Sequence, residues 1–500
     1  MPCTNAQHYF SDYEQGLSQL SWACQCLDLA IAPAQLERWS ELLVASLSGP
    51  GRYFHGPEHS LNLAYRVTQA PEYRQDGIAI LAALFHDTVY VGVDGGLQPR
   101  VAAMLQTLID WRGDTFCLRS PPGKGMAKAM GKDIGKATHA SSTREGIAGE
   151  MVGNAAALGL RVADSGTGWI AELVTFLFGL SDPFASSHSL NATIELEATT
   201  HNEYLSALWA TQLLAPALTP GQVAEVAVAI EATIPFREQA SDESDRRYQR
   251  LIQANTRFQL GLSDAEMQRA IHRSVHLANC DLENFAAEDP VFFLDQTWLL
   301  LPEFNPALRE PYRYRPADYR QALQKMETFM ARLDTRQIFQ QFHGTPTPAL
   351  HQAWSQRAQY NLNVARLYLT TKVVAIGLIE ALSHGQRPLS QYLGQPTHPH
   401  SSSIWEQHFP VLRLRRPLRS TLEFEVLQVA EEGRLTPCAF DSLRSPLAAF
   451  LIRSIGFKRI HQLRGRMQLF FDHKVNAETL LRGCEVKVVQ ATSQLLQPPS

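Results

Sequence analysis

Three separate segments of the chain carry side chains that can bind a divalent transition metal. His86 and Asp87 directly follow an apolar run, His55 and His59 lie upstream, and Asp281 lies far downstream. An isolated His-Asp pair usually marks a capped helix end with one hydrogen-bonded core histidine. Imidazole nitrogens and carboxylate oxygens from three segments, however, form a ligand set for a divalent transition metal. The combination therefore favours a metal site over a capped helix end.

The surrounding sequence predicts helices that would position these side chains. The run that precedes His86 is apolar throughout, as in a buried helix, and a proline suited to the first helical position follows His55. We expect helices at about 57–69 and 77–90, packed antiparallel because a short Pro-containing connection joins them. His55 and His59 are four residues apart, so they would share a face if the first helix reached back to His55.

The order of these residues, H…HD…D, resembles the HD superfamily of metal-dependent phosphohydrolases. It is most similar to a bacterial branch of predicted phosphohydrolases that reads R-x-Y-H-x-x-x-H, F-H-D-x-x-Y, N-E-x-x-S-A and D-x-D-L. The corresponding segments of this chain are Arg52–His59, Phe85–Tyr90, Asn202–Ala207 and Asn279–Leu282. The similarity covers roughly residues 10–370 and is interrupted by a long insertion.

The resemblance implies a set of metal ligands, namely His59, His86, Asp87 and Asp281. It implies one divalent transition metal ion, which we expect to be Mn, Fe, Co, Ni or Zn, and hydrolysis of a phosphate ester by metal-activated water. Asp87 would act both as a ligand and as a group that orients this water. Arg52 would hold the substrate phosphate bidentately. His55 and Glu203 would be catalytic or substrate-contacting groups.

Two departures from the family pattern affect the expected site. Phe236 stands where the family has the histidine of T-x-x-H, and its aromatic ring cannot coordinate a second ion. We therefore predict one metal per chain, although Glu203 or neighbouring histidines could compensate. Asn279 replaces the first Asp of D-x-D-L, which leaves Asp281 intact but changes the hydrogen bonding around it.

Three classes of function remain open on the sequence alone. The leading prediction is an enzyme that hydrolyses a phosphate ester in a nucleotide or another small phosphorylated metabolite. The second is a regulatory or binding protein on a degenerate HD scaffold, which Phe236 and the long insertion suggest. The third is an HD-type di-iron oxygenase, because further histidines are present at positions His139, His188, His201, His272 and His276.

The predicted fold is mainly α: an HD-domain helical bundle with a helical or irregular insertion and a small C-terminal α+β module. The HD domain is expected at 1–91 and 201–384, the insertion at 92–200, a linker at 385–403 and the α+β module at 404–500. The strands of the module are expected where apolar and polar residues alternate, at 422–426, 467–471 and 486–488.

The insertion contains lysines at every fourth position, Lys124, Lys128, Lys132 and Lys136, among several glycines. Like charges at this spacing and glycines both destabilise a helix. A solvated segment is therefore favoured over a cationic lid that meets the substrate phosphate.

Composition limits the partners and the compartment. The formal net charge is −4 over 500 residues, which argues against a protein that coats nucleic acid. Seven cysteines follow no disulfide pattern, and the first residues lack the features of a secretory signal. We expect a cytoplasmic protein that acts on a small phosphorylated substrate and has no membrane partner. Residues 401–500 carry 14 Lys and Arg against 9 Asp and Glu, a local excess that is typical of a solvated basic face.

Overall fold

The chain is mainly helical, as predicted, and it divides into two compact units. The computed structural model describes residues 3–106, 108–112, 115–118, 168–180, 193–194, 201–237, 240–310, 313–385, 387–393, 409, 412–415 and 417–496. Unit 1 comprises residues 1–281 and 340–346, and unit 2 comprises residues 282–339 and 347–500. The chain thus divides after Asp281 and not at the linker predicted near residue 385.

Unit 1 contains the segments that carry the predicted metal ligands. Its first helices are α1 (Cys3–Cys26), α2 (Pro33–Leu47), α3 (Pro57–Val67), α4 (Gly77–Phe85), α5 (Val91–Asp94) and α6 (Pro99–Leu105). After these come α7 (Gly168–Leu177), α8 (His201–Leu214), α9 (Pro220–Ala232), α10 (Ala240–Phe258) and α11 (Asp264–Asp281). Three short strands, β1 (Ile109–Arg112), β2 (Thr115–Leu118) and β3 (Thr193–Ile194), form an antiparallel sheet in the order β1-β2-β3.

Helix α4 forms the centre of the unit 1 core. All nine of its residues are buried, and it packs against α1, α3 and α9. The carboxylate of Asp76 caps its first turn by accepting a hydrogen bond from Ala79 N at 3.0 Å. The helix ends at Phe85, five residues earlier than predicted, and the Phe85 ring lies 5.4 Å from that of Trp209 in α8. Burying each large apolar side chain of this kind contributes about 1.5–3 kcal/mol to stability.

The helix starts in unit 1 follow local sequence signals. Pro33 and Pro57 occupy the first positions of α2 and α3, where a missing N–H costs nothing. A capping box starts α11: Ser263 N donates to Glu266 Oε2 at 2.8 Å, and Glu266 N donates to Ser263 Oγ at 3.4 Å.

Part of the predicted insertion is helical or extended, as α5, α6, α7 and the three strands show. The lysine-rich segment, residues 121–136, lies outside the described residues. The same is true of His139 and His188.

Unit 2 is built around a long helix, α15 (Pro348–Ser383). The other helices are α12 (Pro290–Trp298), α13 (Leu301–Phe304), α14 (Pro316–Arg332), α16 (Ser390–Leu393), α17 (Thr421–Glu432), α18 (Pro446–Phe471), α19 (Ala477–Arg482) and α20 (Val486–Leu495). Buried Lys372 of α15 lies 2.9 Å from Asp441 Oδ2 and 3.1 Å from Ser445 Oγ, and Trp298 Nε1 donates to the same Asp441 oxygen at 3.0 Å. These three hydrogen bonds thus compensate for burying the ion pair.

The predicted C-terminal α+β module is wrong in its strands. Residues 422–426 lie in α17, residues 467–471 end α18, and residues 486–488 begin α20. Alternation over three to five residues does not distinguish a strand from one turn of helix. In α17 the buried residues Val426, Leu427, Val429 and Ala430 follow helical spacing, whereas Phe424 is 55% exposed.

The predicted linker at 385–403 begins as packed chain. Leu389 is fully buried, and its N–H donates to Tyr314 O at 2.9 Å. Residues 394–403 lie outside the described residues. Helix α15 is long and apolar enough to cross a membrane, but 78% of its most apolar window is buried inside the protein, as is typical of a core helix.

Candidate metal centre

The structure brings His59, His86, Asp87 and Asp281 together at one end of the unit 1 helices. His59 Nε2 lies 3.0 Å from Asp281 Oδ1 and 3.5 Å from Asp87 Oδ2. His86 Nε2 lies 3.0 Å from Asp87 Oδ2 and 3.7 Å from Asp281 Oδ1. A tetrahedral ion with ligand bonds near 2.0–2.1 Å separates its ligand atoms by about 3.4 Å. The separations between the histidine nitrogens and the carboxylate oxygens are therefore compatible with a shared metal ion. The ligand atoms of His59, His86 and Asp87 also all lie within 4.8 Å of one another.

The tautomer of His86 also fits metal binding. Its Nδ1 lies 2.9 Å from the carbonyl oxygen of Ala83, one turn earlier, so Nδ1 carries the proton and donates it there. Its Nε2 faces the carboxylates of Asp87 and Asp281, where it can hold either a second proton or a metal ion. A backbone acceptor that fixes the ring in this way is the usual partner of a metal-binding histidine.

Charges within this group strongly shift its protonation. Burial alone would lower the pKa of His86, but the adjacent carboxylates of Asp87 and Asp281 outweigh it and raise that pKa to about 9. Burial would raise the pKa of Asp87, and the neighbouring histidines, His86 first, outweigh it and lower that pKa. The two buried carboxylates thus require compensating positive charge, which protons or a metal ion can supply.

Arg52 does not have the role that the resemblance implied. Its Nε and Nη2 bind the carboxylate of Asp94 at 2.9 and 2.7 Å. Its remaining donors reach the carbonyl oxygens of Asp87 at 2.5 Å, Thr88 at 3.2 Å and His55 at 3.4 Å. All five N–H groups are used and the side chain is fully buried, so none is left for a substrate phosphate. Arg52 instead fixes the backbone that carries Asp87.

The segment that resembles N-E-x-x-S-A fixes the other side of the same turn. Val89 N donates to Ser206 Oγ at 3.0 Å, and Val91 N donates to Asn202 Oδ1 at 3.1 Å. Asn202 and Ser206 are four residues apart in α8 and therefore share one face. Helix α8 thereby holds the chain directly after Asp87 and places Glu203 beside the centre.

Glu203 is a buried carboxylic acid. Burial raises its pKa to about 8, the charge of Asp87 adds to this shift, and His86 and Arg237 oppose it. Its Oε2 has no hydrogen-bond partner among the described residues. At neutral pH this side chain is therefore protonated and can donate a proton beside Asp87.

His55 lies close to the centre, but it precedes α3, which begins at Pro57. The condition for a helix face shared by His55 and His59, a helix that reaches back to His55, is therefore not met. The His55 ring lies 4.6 Å from that of Tyr90 in an edge-to-face contact and 5.9 Å from that of His59. Its charge also lowers the pKa of Asp87, so His55 stays at the rim of the site.

Asn279, where the family has Asp, forms two hydrogen bonds with the backbone of Gln340. Its Nδ2 donates to Gln340 O at 2.9 Å, and its Oδ1 accepts from Gln340 N at 2.7 Å. An aspartate could accept but not donate, so the asparagine suits this partner. Asp94 and Gln340 were not predicted as supporting residues, because nothing in their spacing links them to Arg52 or Asn279.

Other histidines considered for a second metal lie elsewhere. His276 stacks on Tyr73 with ring centroids 4.2 Å apart, and its Nε2 lies 3.0 Å from Val67 O. His272 contacts the rings of Phe342 and His343. Within the described part of the chain, His59, His86 and Asp87 form the one group of three or more whose ligand atoms all lie within 4.8 Å of one another.

Comparisons with known proteins found no similar protein. No family model matches the sequence, and no curated protein and no solved structure matches it significantly.

Proposed function

We propose that this protein hydrolyses a phosphate ester with the help of one divalent metal ion bound by His59, His86, Asp87 and Asp281. The substrate would be a nucleotide or another small phosphorylated metabolite, as the resemblance to HD phosphohydrolases implies. The observation that carries the proposal is the separation of 3.0–3.7 Å between the imidazole nitrogens and the carboxylate oxygens. The two buried carboxylates need positive charge beside them, which a divalent ion would supply in place of protons on the histidines.

A divalent ion held here would polarise a phosphoryl oxygen and lower the pKa of water toward neutrality. Asp87 orients the attacking water, since its carboxylate is the one anchored by both imidazoles and by the Arg52-bound turn. Glu203 would supply the proton that the leaving oxygen needs, since it is buried beside Asp87 and burial raises its pKa in the metal-free protein. His55 contacts the substrate at the rim.

The proposal is tested with the full-length protein purified without chelators. We expect close to one equivalent of transition metal per chain and metal-dependent hydrolysis within a panel of nucleotides, phosphomonoesters and phosphodiesters. Asp87→Ala should lower turnover by more than about 100-fold, since even changes outside the ligand set cost 10–100-fold. The matched control is His272→Ala, which removes a histidine from the same helix as Asp281 but away from the centre and should retain both metal and activity.

Three results would contradict the proposal in different ways. Full turnover by Asp87→Ala would exclude the assigned centre. Stoichiometric metal with no hydrolysis across the panel would favour the regulatory alternative on the same scaffold. Two equivalents of iron or manganese, both lost in His201→Ala, would favour a di-iron oxygenase.

A further inference from the structure

A phosphohydrolase also needs a group that binds the substrate anion, and Arg52 has no donor left for it. Unit 1 contains other buried or half-buried arginines. Three of them, Arg237, Arg247 and Arg250, surround the fully buried carboxylate of Glu231 at the end of α9.

The end of α9 lies at the same end of the bundle as Asp281. Gln340 Nε2 donates to Ala232 O, in the last turn of α9, at 2.7 Å. The backbone of the same Gln340 forms two hydrogen bonds with Asn279, two residues before Asp281. One residue therefore connects the last turn of α9 to the last turn of α11.

The opposite end of α9 also indicates that this helix runs toward the metal centre. Gly77 and Gly221, in the first turns of α4 and α9, line a separate cavity of about 1050 Å³ together with His272 of α11. Helices α4 and α9 therefore begin together at the cavity. Since α4 leads from the cavity to His86, α9 leads to the metal centre as well.

The turn after α9 brings Arg237 back onto the helix. Phe236 adopts a left-handed conformation with φ 57°, which a non-glycine residue rarely adopts. The following Arg237 donates from Nη2 to Glu231 O at 3.0 Å and from Nη1 to Glu231 Oε1 at 2.5 Å and Glu243 Oε1 at 2.8 Å. The position that departs from the family's T-x-x-H thus sets the direction of the next side chain.

Arg237 and Arg250 bind the same two carboxylate oxygens but differ in their Nε groups. Arg250 Nη2 donates to Glu231 Oε1 and Glu243 Oε1 at 2.8 Å each, and its Nε donates to Leu177 O at 2.9 Å. Within the described residues, Arg237 Nε has no hydrogen-bond partner, and 22% of the Arg237 side chain is exposed. Arg237 therefore has a free Nε–H donor, whereas the Nε–H of Arg250 is already hydrogen-bonded to Leu177 O.

The charges around Glu231 also favour an anion. Arg237, Arg247 and Arg250 contribute three positive charges, and Glu231 and Glu243 contribute two negative charges, which leaves 3 − 2 = +1. A guanidinium with a free edge forms charge-assisted hydrogen bonds with phosphate oxygens. The arrangement is therefore complementary to a phosphate group.

We propose that Arg237 binds a phosphate oxygen of the substrate, the role that the sequence had suggested for Arg52. The inference rests on the proposed function for its substrate class. The Nη groups of Arg237 stay on Glu231 and Glu243, and its Nε donates to the phosphate.

The test compares Arg237→Lys with Arg250→Lys in the full-length, metal-loaded protein. Both variants keep the positive charge, and both weaken contacts to the same carboxylates. Inorganic phosphate is the probe. Its binding is measured by competitive inhibition of ester hydrolysis and by the phosphate-dependent rise in Tm. Arg237→Lys should weaken phosphate binding about 10-fold or more, because it loses one charge-assisted hydrogen bond. Arg250→Lys should leave phosphate binding unchanged. KM for the ester should rise in Arg237→Lys with kcat within about twofold.

A second measurement uses the wild-type protein and so does not depend on how a variant folds. Phenylglyoxal modifies accessible guanidinium groups, and mass spectrometry locates the modified arginines. We expect modification of Arg237 that phosphate suppresses, and no modification of Arg52. Modification of Arg237 that phosphate does not suppress would overturn the inference, as would equal loss of phosphate affinity in the two lysine variants.

These outcomes separate the inference from the proposed function. Metal-dependent hydrolysis with identical behaviour of Arg237→Lys and Arg250→Lys would keep the function and exclude Arg237 as the anion-binding residue. Loss of phosphate binding only in Arg237→Lys, without hydrolysis of any ester, would keep the phosphate site and exclude the hydrolytic role.

Discussion

The side-chain amide of Asn279 pairs with the backbone of Gln340: its Nδ2 donates to Gln340 O at 2.9 Å, and its Oδ1 accepts from Gln340 N at 2.7 Å. The pair fixes the last turn of α11, where Asp281 approaches His59 and His86. A residue sixty-one positions later in the chain thus determines where the last candidate ligand lies.

The first prediction concerns this pair. Asn279→Ala leaves the Gln340 N–H and C=O without their partners and should destabilise the protein by about 1–3 kcal/mol. Metal affinity should fall by roughly 10–100-fold, because Asp281 loses its support. Urea unfolding and metal titration measure the two effects.

Asn255 provides a matched control for Asn279. Its side chain forms the same two hydrogen bonds with the backbone of Leu262, at 2.7 and 3.0 Å, and Leu262 lines the cavity at the far end of the helices. Asn255→Ala should lower stability by a similar amount and leave metal affinity unchanged. Equal loss of metal affinity in both variants would show that the Asn279 effect is not local.

The second prediction concerns Arg52 and Asp94. Arg52→Met leaves a buried carboxylate without its cation, so the free energy of unfolding should fall by about 3–5 kcal/mol. Chemical denaturation at neutral pH measures it. If Arg52 bound substrate instead, the same change would raise KM and leave stability nearly unaltered.

The third prediction is a dependence of stability on acid. Burial would raise the pKa of Glu231, but Arg237, Arg247 and Arg250 outweigh it and lower that pKa from 4.5 to about 2. Because the folded pKa is lowered, the stabilisation is complete above pH 4.5 and is lost as the pH falls toward 2. Between pH 5 and pH 3 the wild type should lose about 2 kcal/mol that Glu231→Gln does not lose. Urea unfolding of both proteins at the two pH values tests this.

The fourth prediction concerns Glu203 in metal-free protein. Its folded pKa of about 8 lies above the ordinary 4.5, so its favourable contribution is present below pH 4.5 and is lost as the pH rises toward 8. Glu203→Gln removes this loss, and its stability relative to wild type should rise by about 2 kcal/mol between pH 5 and pH 7. With metal bound, kcat should fall by about 100-fold. A constant stability difference across this pH range would contradict the raised pKa.

Local signals predicted much of the unit 1 framework. Pro33 and Pro57 start helices, and Ser263 with Glu266 caps α11, because these effects act within one turn. The C-terminal strands were predicted wrongly, since short alternation is compatible with helices once tertiary packing selects the buried face. Val488 is buried and Val486 is 68% exposed, yet both belong to α20.

At the candidate site, too, the sequence does not predict contacts that depend on tertiary packing. Motif order predicted which four side chains meet, because residue type restricts metal binding. It misassigned Arg52, since an arginine's partner depends on distant carboxylates such as Asp94. Arg237 was not recognised, because its free Nε depends on the turn at Phe236 and on Glu231 and Glu243.

The return of residues 340–346 to unit 1 has a consequence for synthesis on the ribosome. Asp281 is made 65 residues before Pro346, which corresponds to roughly 3–13 s of translation at 5–20 residues per second. Until Gln340 has been synthesised, three groups lack a hydrogen bond that they form in the folded protein: Asn279, Ala232 O and Arg247. The candidate metal centre is therefore completed only after its last candidate ligand has been synthesised. A chain released at residue 281 would contain all four candidate ligands but lack Gln340, whose hydrogen bonds connect the last turns of α9 and α11.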